Sequence, residues 1–218
     1  MTTLVVIPAR MASSRFPGKP LAKIAGREMI LRVCDQLPNF LTIVATPDQE
    51  IYDCVVAAGY DAFLTKTDCR TGTDRLVELA KEIKADIYIN VQGDEPLINE
   101  SDIIAIDRAK KQEHNYVIGA VCKMDNDLND VKCILEDGHL RGISREIYRQ
   151  RGIYALNEED LRFFGQAEIT DTDSIEITRF MHIGLPIKMV VIKDTPDVNT
   201  PEDIKKIEES LICQHQHQ

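Results

Sequence analysis

Leu4-Val5-Val6-Ile7 runs straight into Pro8-Ala9-Arg10-Met11-Ala12-Ser13-Ser14-Arg15-Phe16-Pro17-Gly18-Lys19-Pro20-Leu21, and this stretch decides the architecture. The apolar run is uninterrupted and too short for a helix, the pattern of a strand buried on both faces. Pro8 has no ladder donor and ends it. The loop beyond gathers Arg10, Arg15 and Lys19 among small neighbours. Ala12, Ser13 and Ser14 leave backbone N–H groups approachable, and Gly18 permits a backbone that side chains forbid. A cationic, amide-rich loop at the C-terminal end of a first strand suits a polyphosphate. It is not a Walker A loop, since Gly18-Lys19 is followed by Pro20, and no G-x-G-x-x-G occurs. A solvated basic loop competes with this reading, and cation spacing alone does not separate the two.

Outward from there, short apolar strands alternate with helical patterns. Strands are expected at Leu41–Ala45, Asp61–Leu64, Ile87–Val91 and Tyr116–Val121. Helices are expected from Asp48 to Ala58, stopped by Gly59, from Thr73 to Ile83, and from a Ser101 or Asp102 cap to Lys111. This order predicts an α/β fold, a three-layer α/β/α arrangement around a mostly parallel sheet. The rhythm then changes. Asp125-Asn126-Asp127 is a turn cluster, and Val131–Leu135 and Leu140–Ile143 flank Asp137-Gly138 as a hairpin. Gly152–Leu156 reads as a strand, Asn157 caps a short helix to Phe164, and Ile175–His182 reads as a helix. A last strand spans Ile187–Ile192, and Thr200-Pro201 starts a closing helix to about Leu211. The chain reads as one domain, 1–218, with 124–160 as a small subdomain built on the hairpin.

The net charge of −10 disfavours nucleic acid as a partner and sets the cationic first loop apart. No apolar run reaches membrane-spanning length and no secretory leader precedes the first strand, so no membrane association is expected. The six cysteines are scattered without a C-x-x-C pair, the pattern of reduced thiols in a cytoplasmic protein. His215 and His217 lie in a polar tail and are read as solvent-exposed.

Further motifs carry chemistry. Asn90-Val91-Gln92-Gly93-Asp94-Glu95-Pro96 delivers Asp94 at a strand end, on the same sheet edge as the first loop; a carboxylate there would hold Mg²⁺ against phosphates, or cap the next turn. Thr71-Gly72-Thr73-Asp74-Arg75 stands at a loop-to-helix junction, either as a polar contact for a base or phosphate or as an ordinary N-cap. In Asp197-Val198-Asn199-Thr200-Pro201, Asn199 could offer an amide oxygen to a metal.

Together these residues resemble the 3-deoxy-manno-octulosonate (Kdo) cytidylyltransferases. The family's P-A-R-x-A-S-[ST]-R-x-P-G-K-P-L is met by Pro8 to Leu21 without a gap, its Q-G-D-E-P by Gln92 to Pro96, and its [ST]-G-T-[DE]-R by Thr71 to Arg75. Its closing V-D-T-P-E-D is met by Val198 to Asp203 with Asn199 in place of Asp. The resemblance implies a nucleotide-diphospho-sugar transferase fold and transfer of CMP from CTP to a small acidic acceptor, with Mg²⁺ as cofactor and a homodimer as the assembly. It implies Lys19, Asp94 and Arg10 as catalytic residues and Asp94 with Asn199 at the metal. Nucleotide contacts would be Pro8, Ala9, Arg10, Ser14, Arg15, Lys19, Thr71, Gly72, Thr73, Arg75 and Gln92. Acceptor contacts would be Gln150, Tyr154, Glu176 and Arg179.

The acceptor side departs from the family. Only Glu146 to Arg151 remains of a longer acceptor-side and dimerisation insert, Gln150 stands near the family's His, and Leu156 replaces its second Tyr. Arg149, Arg151 and Arg179 remain to grip a carboxylate or phosphonate by a two-pronged pair. These departures favour a related or smaller acid over Kdo itself. Two alternatives stay open: a nucleotidyltransferase of the same fold acting on another small acid, phosphonate or sugar phosphate, and a non-catalytic nucleotide-binding homologue.

Overall fold

The computed structural model describes residues 1–13, 15–123, 132–136, 138–143, 148–168 and 176–215. Its frame is a nine-stranded sheet. β5 (Asp61–Leu64), β4 (Leu41–Thr46), β1 (Thr3–Pro8) and β6 (Ile87–Asn90) run parallel. Beyond β6 come β10 (Tyr148–Leu156), β7 (Val117–Lys123), β11 (Ile187–Val191), β9 (His139–Ile143) and β8 (Lys132–Glu136). β10 is antiparallel to both β6 and β7, while β11 is parallel to β7.

The period-two alternation of β1 sorts the core into two layers. Val5 and Ile7 pack with α1 (Met29–Asp35), α2 (Gln49–Ala57) and α4 (Glu100–Gln112). Leu4 and Val6 pack on the other face with α3 (Gly72–Glu82), α5 (Glu158–Gln166) and α6 (Glu176–His182). A third, smaller cluster joins Ile24, Met29, Val198 and Ile207, seating α7 (Pro201–His215) against the first loop. This is the predicted α/β/α sandwich.

The chain leaves β1 for β4 and β5 on one side and returns to β6 on the other, so the strand order reverses between β1 and β6. Connections diverge at such a switch point and open a crevice outside the carboxyl ends of the strands. The Pro8–Leu21 and Gln92–Pro96 loops both leave from there.

Several local features differ from expectation. The stretch from Lys19 up to Leu41, for which the sequence named no element, folds as a 3₁₀ turn (Lys19–Leu21), a two-stranded hairpin of β2 (Lys23–Ile24) and β3 (Arg27–Glu28), and α1. Asn99, rather than Ser101 or Asp102, caps α4, its side chain accepting from Ser101 N at 3.0 Å. Asp48 precedes α2 but turns its carboxylate away, accepting from Met11 N at 2.7 Å. β10 begins at Tyr148, ahead of the expected Gly152, and its register shifts between Gln150 and Tyr154. The hairpin of β8 and β9 turns at Gly138 and joins the main sheet through β11 and β10, so the 124–160 stretch supplies a central strand as well as the hairpin. The Asp125–Asp127 turn, Glu146 and His217 lie outside the described residues. Among those described, no helix is long and apolar enough to cross a membrane.

One polar tie crosses the core. Lys110 on α4 is fully buried and donates to Asp160 Oδ2 at 2.6 Å, Tyr116 O at 2.7 Å and His114 O at 2.9 Å. Burial pushes the Lys110 pKa down while Asp160 opposes it. Asp160 also completes the Asn157 capping box of α5. Asp160→Ala should therefore destabilise the fold by roughly 3–5 kcal/mol, the scale for leaving one buried partner uncompensated. Denaturant unfolding checks this, and nucleotide affinity should be unchanged at temperatures where the variant remains folded.

Candidate active site

A cleft of about 570 Å³ opens at the switch point. The first loop forms one wall and is pinned at both ends. Met11 N donates to Asp48, and Gly18 N donates to Met11 O at 3.0 Å. Gly18, at φ 73°, starts the 3₁₀ turn that aims Lys19 across the cleft. Lys19 Nζ donates to Asp94 Oδ2 at 2.7 Å and to Val198 O at 2.9 Å. Arg10 and Arg15 are exposed on the same wall.

The N-terminus of α3 forms the second wall. Thr71 caps it, with Asp74 completing a capping box, and the same Thr71 lines the cleft. The cap reading of this motif is therefore realised, and the capping residue also faces the cleft. Glu176, reaching over from α6, accepts from Thr73 N at 2.7 Å and from Asn90 Nδ2 at 3.4 Å. Burial pushes the Glu176 pKa up, and the bond from Thr73 opposes that shift. Arg75 is buried, with Nη1 donating to Thr71 O at 2.9 Å and Nε lacking a partner. Burial lowers its pKa, and the nearby Arg10 lowers it further.

β10 and the β11–α7 connection close the far side. Gln150 Nε2 donates to Tyr154 Oη at 2.5 Å, and Gln92 Nε2 donates to Gly152 O at 3.2 Å. Arg149 Nη2 donates to Asp197 Oδ1 at 2.5 Å. Burial raises the Asp197 pKa, but Arg149 outweighs that and holds it below the ordinary value. Glu95 is buried against Arg151 at 2.8 Å. Its burial outweighs the cation and pushes it up to about 7.

Most of the expected site residues converge. Pro8, Ala9, Arg10, Arg15 and Lys19 from the first loop, Thr71, Gly72 and Arg75 from α3, and Gln92 and Asp94 from the β6 loop all line the cleft. So do Gln150, Tyr154 and Glu176. Three lie elsewhere. Thr73 is buried beneath the wall, its hydroxyl accepting from Asn90. Arg179 is buried in the α3–α5–α6 layer, stacked 3.9 Å over the Phe164 ring and donating to Asp74 at 2.8 Å, so it is spent on packing rather than on an acceptor. Asn199 is off the cleft wall, its amide donating to Asp197 Oδ2 at 2.8 Å. Ser14 lies outside the described residues. The structure adds Arg70, Glu95 and Asp197 to the lining. Asp197 sits two residues before Asn199, and the acidic residue itself was the available signal.

A switch-point cleft with cations on one loop and a carboxylate on the facing loop defines an α/β protein built to handle phosphates. The profile of the cytidylyltransferase family matches residues 4–214. The chain is 32% identical to a 3-deoxy-manno-octulosonate cytidylyltransferase of Chlamydia pneumoniae, covering 95% of this chain and 93% of that one. It is 34% identical to the enzyme of the same name from Desulfosudis oleivorans, over 95% and 96% of the two chains. A solved CMP:2-keto-3-deoxy-manno-octonic acid synthetase complexed with CTP superimposes at TM-score 0.90, with 31% identity, covering 99% of this chain and 100% of that one. The chain belongs to the cytidylyltransferase family.

Gly72 is where wall and helix meet most tightly: a Cβ there would stand 2.8 Å from Pro8 Cγ and 3.3 Å from Glu176 Oε1. Gly72→Ala should force α3 away from Pro8, destabilising the fold by about 1–3 kcal/mol. Because Thr71 and Arg75 would shift with the helix, nucleotide affinity should also fall, which titration calorimetry at a temperature well below the variant's Tm measures.

Proposed function

We propose that the chain transfers CMP from CTP to the hydroxyl of a Kdo-like 3-deoxy sugar acid and releases pyrophosphate. The observation that carries this reading is the facing pair of loops at the switch point, with Lys19 of the cationic loop 2.7 Å from Asp94 of the other. The relatives' names and the CTP held by the solved synthetase support it.

Magnesium is part of the proposal. Asp94 and Asp197 both reach the cleft with partly exposed carboxylates. Among the described residues no three acidic, His or Cys side chains gather into a cage. That donor set fits Mg²⁺, which is held by one or two carboxylates together with substrate phosphates. When bound, the ion supplies Lewis-acid neutralisation of phosphate charge. Arg10, Arg15 and Lys19 screen the triphosphate, while Thr71, Arg75 and Gln92 hold the nucleoside end. The acceptor oxygen attacks the α-phosphorus in line, and the bond to the pyrophosphate oxygen breaks. Nothing covalent is asked of the protein; positioning and charge carry the catalysis. The reading includes a homodimer, on the resemblance alone, and a cytoplasmic setting, which the free Cys34, Cys54, Cys69 and Cys122 support.

A second acceptor, some other small acid, is favoured by one observation: Arg149 and Arg151 already engage Asp197 and Glu95, so neither offers a free two-pronged grip to the carboxylate of Kdo. Steady-state kinetics on Kdo, its 8-amino analogue, sialic-type acids and small phosphonates decides between them. Kdo giving the highest kcat/KM supports the first, and a decisive preference for another acid supports the second.

In calorimetry with Mg²⁺, CTP should bind more tightly than ATP or GTP, and tighter purine binding would sink the nucleotide assignment. Lys19→Ala should weaken triphosphate binding more than Arg75→Ala. Asp94→Asn should lower kcat by about 10²–10³, the scale for removing one charge-stabilising group, with an unchanged unfolding curve.

A further inference from the structure

Arg151, read from the sequence as a grip for an acceptor carboxylate or phosphonate, is instead fully engaged with the protein beside the cleft. Its side chain is 1% exposed. Nη1 donates to Asp194 Oδ1 at 2.9 Å and to Thr195 O at 2.6 Å. Nη2 donates to Glu95 Oε2 at 2.8 Å and to Thr195 Oγ1 at 3.1 Å. The two terminal nitrogens of an arginine carry four N–H groups between them, so both are saturated. An incoming carboxylate would have to displace these bonds to use the fork.

The partners matter for what stands beside them. Glu95 directly follows Asp94, the carboxylate that faces Lys19. Thr195 lies two residues before Asp197, the carboxylate that takes Arg149 and Asn199. A single buried guanidinium thus bridges the loop after β6 and the loop after β11, from a strand that belongs to neither. Arg149 and Arg151 both reach Asp194 from β10, and the strand's register shifts between Gln150 and Tyr154, the interval that holds Arg151. Bulges beside active sites re-aim side chains in this way.

We propose that Arg151 is a positioning residue for the transfer: by holding Glu95 and Thr195 on one guanidinium, it sets the separation of Asp94 and Asp197 across the cleft. This rests on the nucleotidyl-transfer reading above. The remaining described hydrogen bonds between these loops are the Val198 N to Asp94 O bond at 2.9 Å and the Lys19 Nζ contacts, beside the packing of Leu97 in the cluster of Val198. A triphosphate competing for Lys19 would leave Arg151 as the main polar side-chain bridge between them.

The test uses Arg151→Leu, Arg151→Lys and Glu95→Gln in the full chain. With saturating CTP and Mg²⁺, Arg151→Leu should lower kcat about 100-fold, the cost of an ångström-scale misplacement, while the acceptor KM stays within a few-fold. CTP titrated calorimetrically in EDTA should bind within about twofold of wild type, and the gain in affinity on adding Mg²⁺ should shrink at least about fivefold. Combining Arg151→Leu with Glu95→Gln should cost no more than the worse single change, because both break one bridge. An acceptor KM raised about 100-fold at unchanged kcat would make Arg151 an acceptor ligand and overturn the proposal. So would a lowered melting temperature with wild-type kinetics and wild-type metal coupling, which would mean packing alone. If Arg151→Leu does not fold, Arg151→Lys keeps the charge without the fork, and wild-type kcat in that folded variant overturns the proposal equally. A wild-type protein that binds CTP with metal coupling but turns over none of the acceptors counts against the proposed acceptor, and the calorimetric ratio then decides on Arg151.

Discussion

The Lys19–Asp94 contact is the constraint on which the site depends. It joins residues 75 apart in sequence, and it exists because parallel pairing of β1 with β6 brings two strand ends to the same edge. The ion pair itself adds little to stability, since partly exposed pairs of this kind are worth ~0–1 kcal/mol. Its consequence is geometric. Val198 accepts from the same Lys19 Nζ and donates its N–H to the Asp94 carbonyl, so three loops from distant parts of the chain meet at one ammonium group. A bound polyphosphate would give Lys19 a richer set of oxygens and release Asp94 for other partners. The cleft therefore holds its cation and its carboxylate in facing positions, and little reorganisation is left to occur on binding.

The second wall shows the same economy. A helix N-terminus leaves several N–H groups without partners, and these are normally met by a local cap. Here Thr71 and Asp74 satisfy part of that need, and Glu176 arrives from 103 residues away to take Thr73 N. The carboxylate that caps α3 from outside also receives Asn90 from the end of β6. α3, α6 and β6 are thereby tied at the point where the cleft floor begins. The contact of Gly72 with Pro8 extends this junction to the first loop.

How much of this could be read from the sequence follows from how local each cause is. β1 and β6 were readable because strands buried on both faces are continuous apolar runs, and β4 and the edge strand β5 by their short apolar runs between polar turns. The first loop's place on the cleft was readable because its cations and small residues are adjacent in sequence. α1 was not: seven residues, nearly all apolar and buried, show no amphipathic period. The β2–β3 turn escaped because Ala25, at φ 46°, occupies a position where Asn or Asp gives the usual signal. Arg179 was misplaced for a related reason, since its Phe164 and Asp74 partners lie 15 and 105 residues away and nothing local separates a buried arginine from one that faces a ligand. Asn199 drew attention through the motif it interrupts, whereas Asp197 gains its place on the wall only through the path of the β11–α7 connection.

Charge is distributed unequally along the cleft, and this orients what can bind. At the α3 end, Arg10 and Arg15 stand exposed, Arg75 keeps an unpartnered Nε, and Arg10 lies close enough to Arg75 to lower its pKa. Cations that tolerate mutual repulsion in a chain of net charge −10 create a local positive potential that Asp48 and Asp74 only partly offset. At the β10 end the arginines are matched: Arg149 with Asp197 and Asp194, Arg151 with Glu95 and Asp194. A triphosphate placed there would face carboxylates already satisfied and would gain little attraction. On the proposed reading, the anionic nucleotide as a whole is thus drawn to the α3 end by unbalanced charge. The charge-balanced end is left to an acceptor recognised by hydrogen bonds such as those Gln150 and Tyr154 can offer, and the reacting groups meet between the two, beside Asp94.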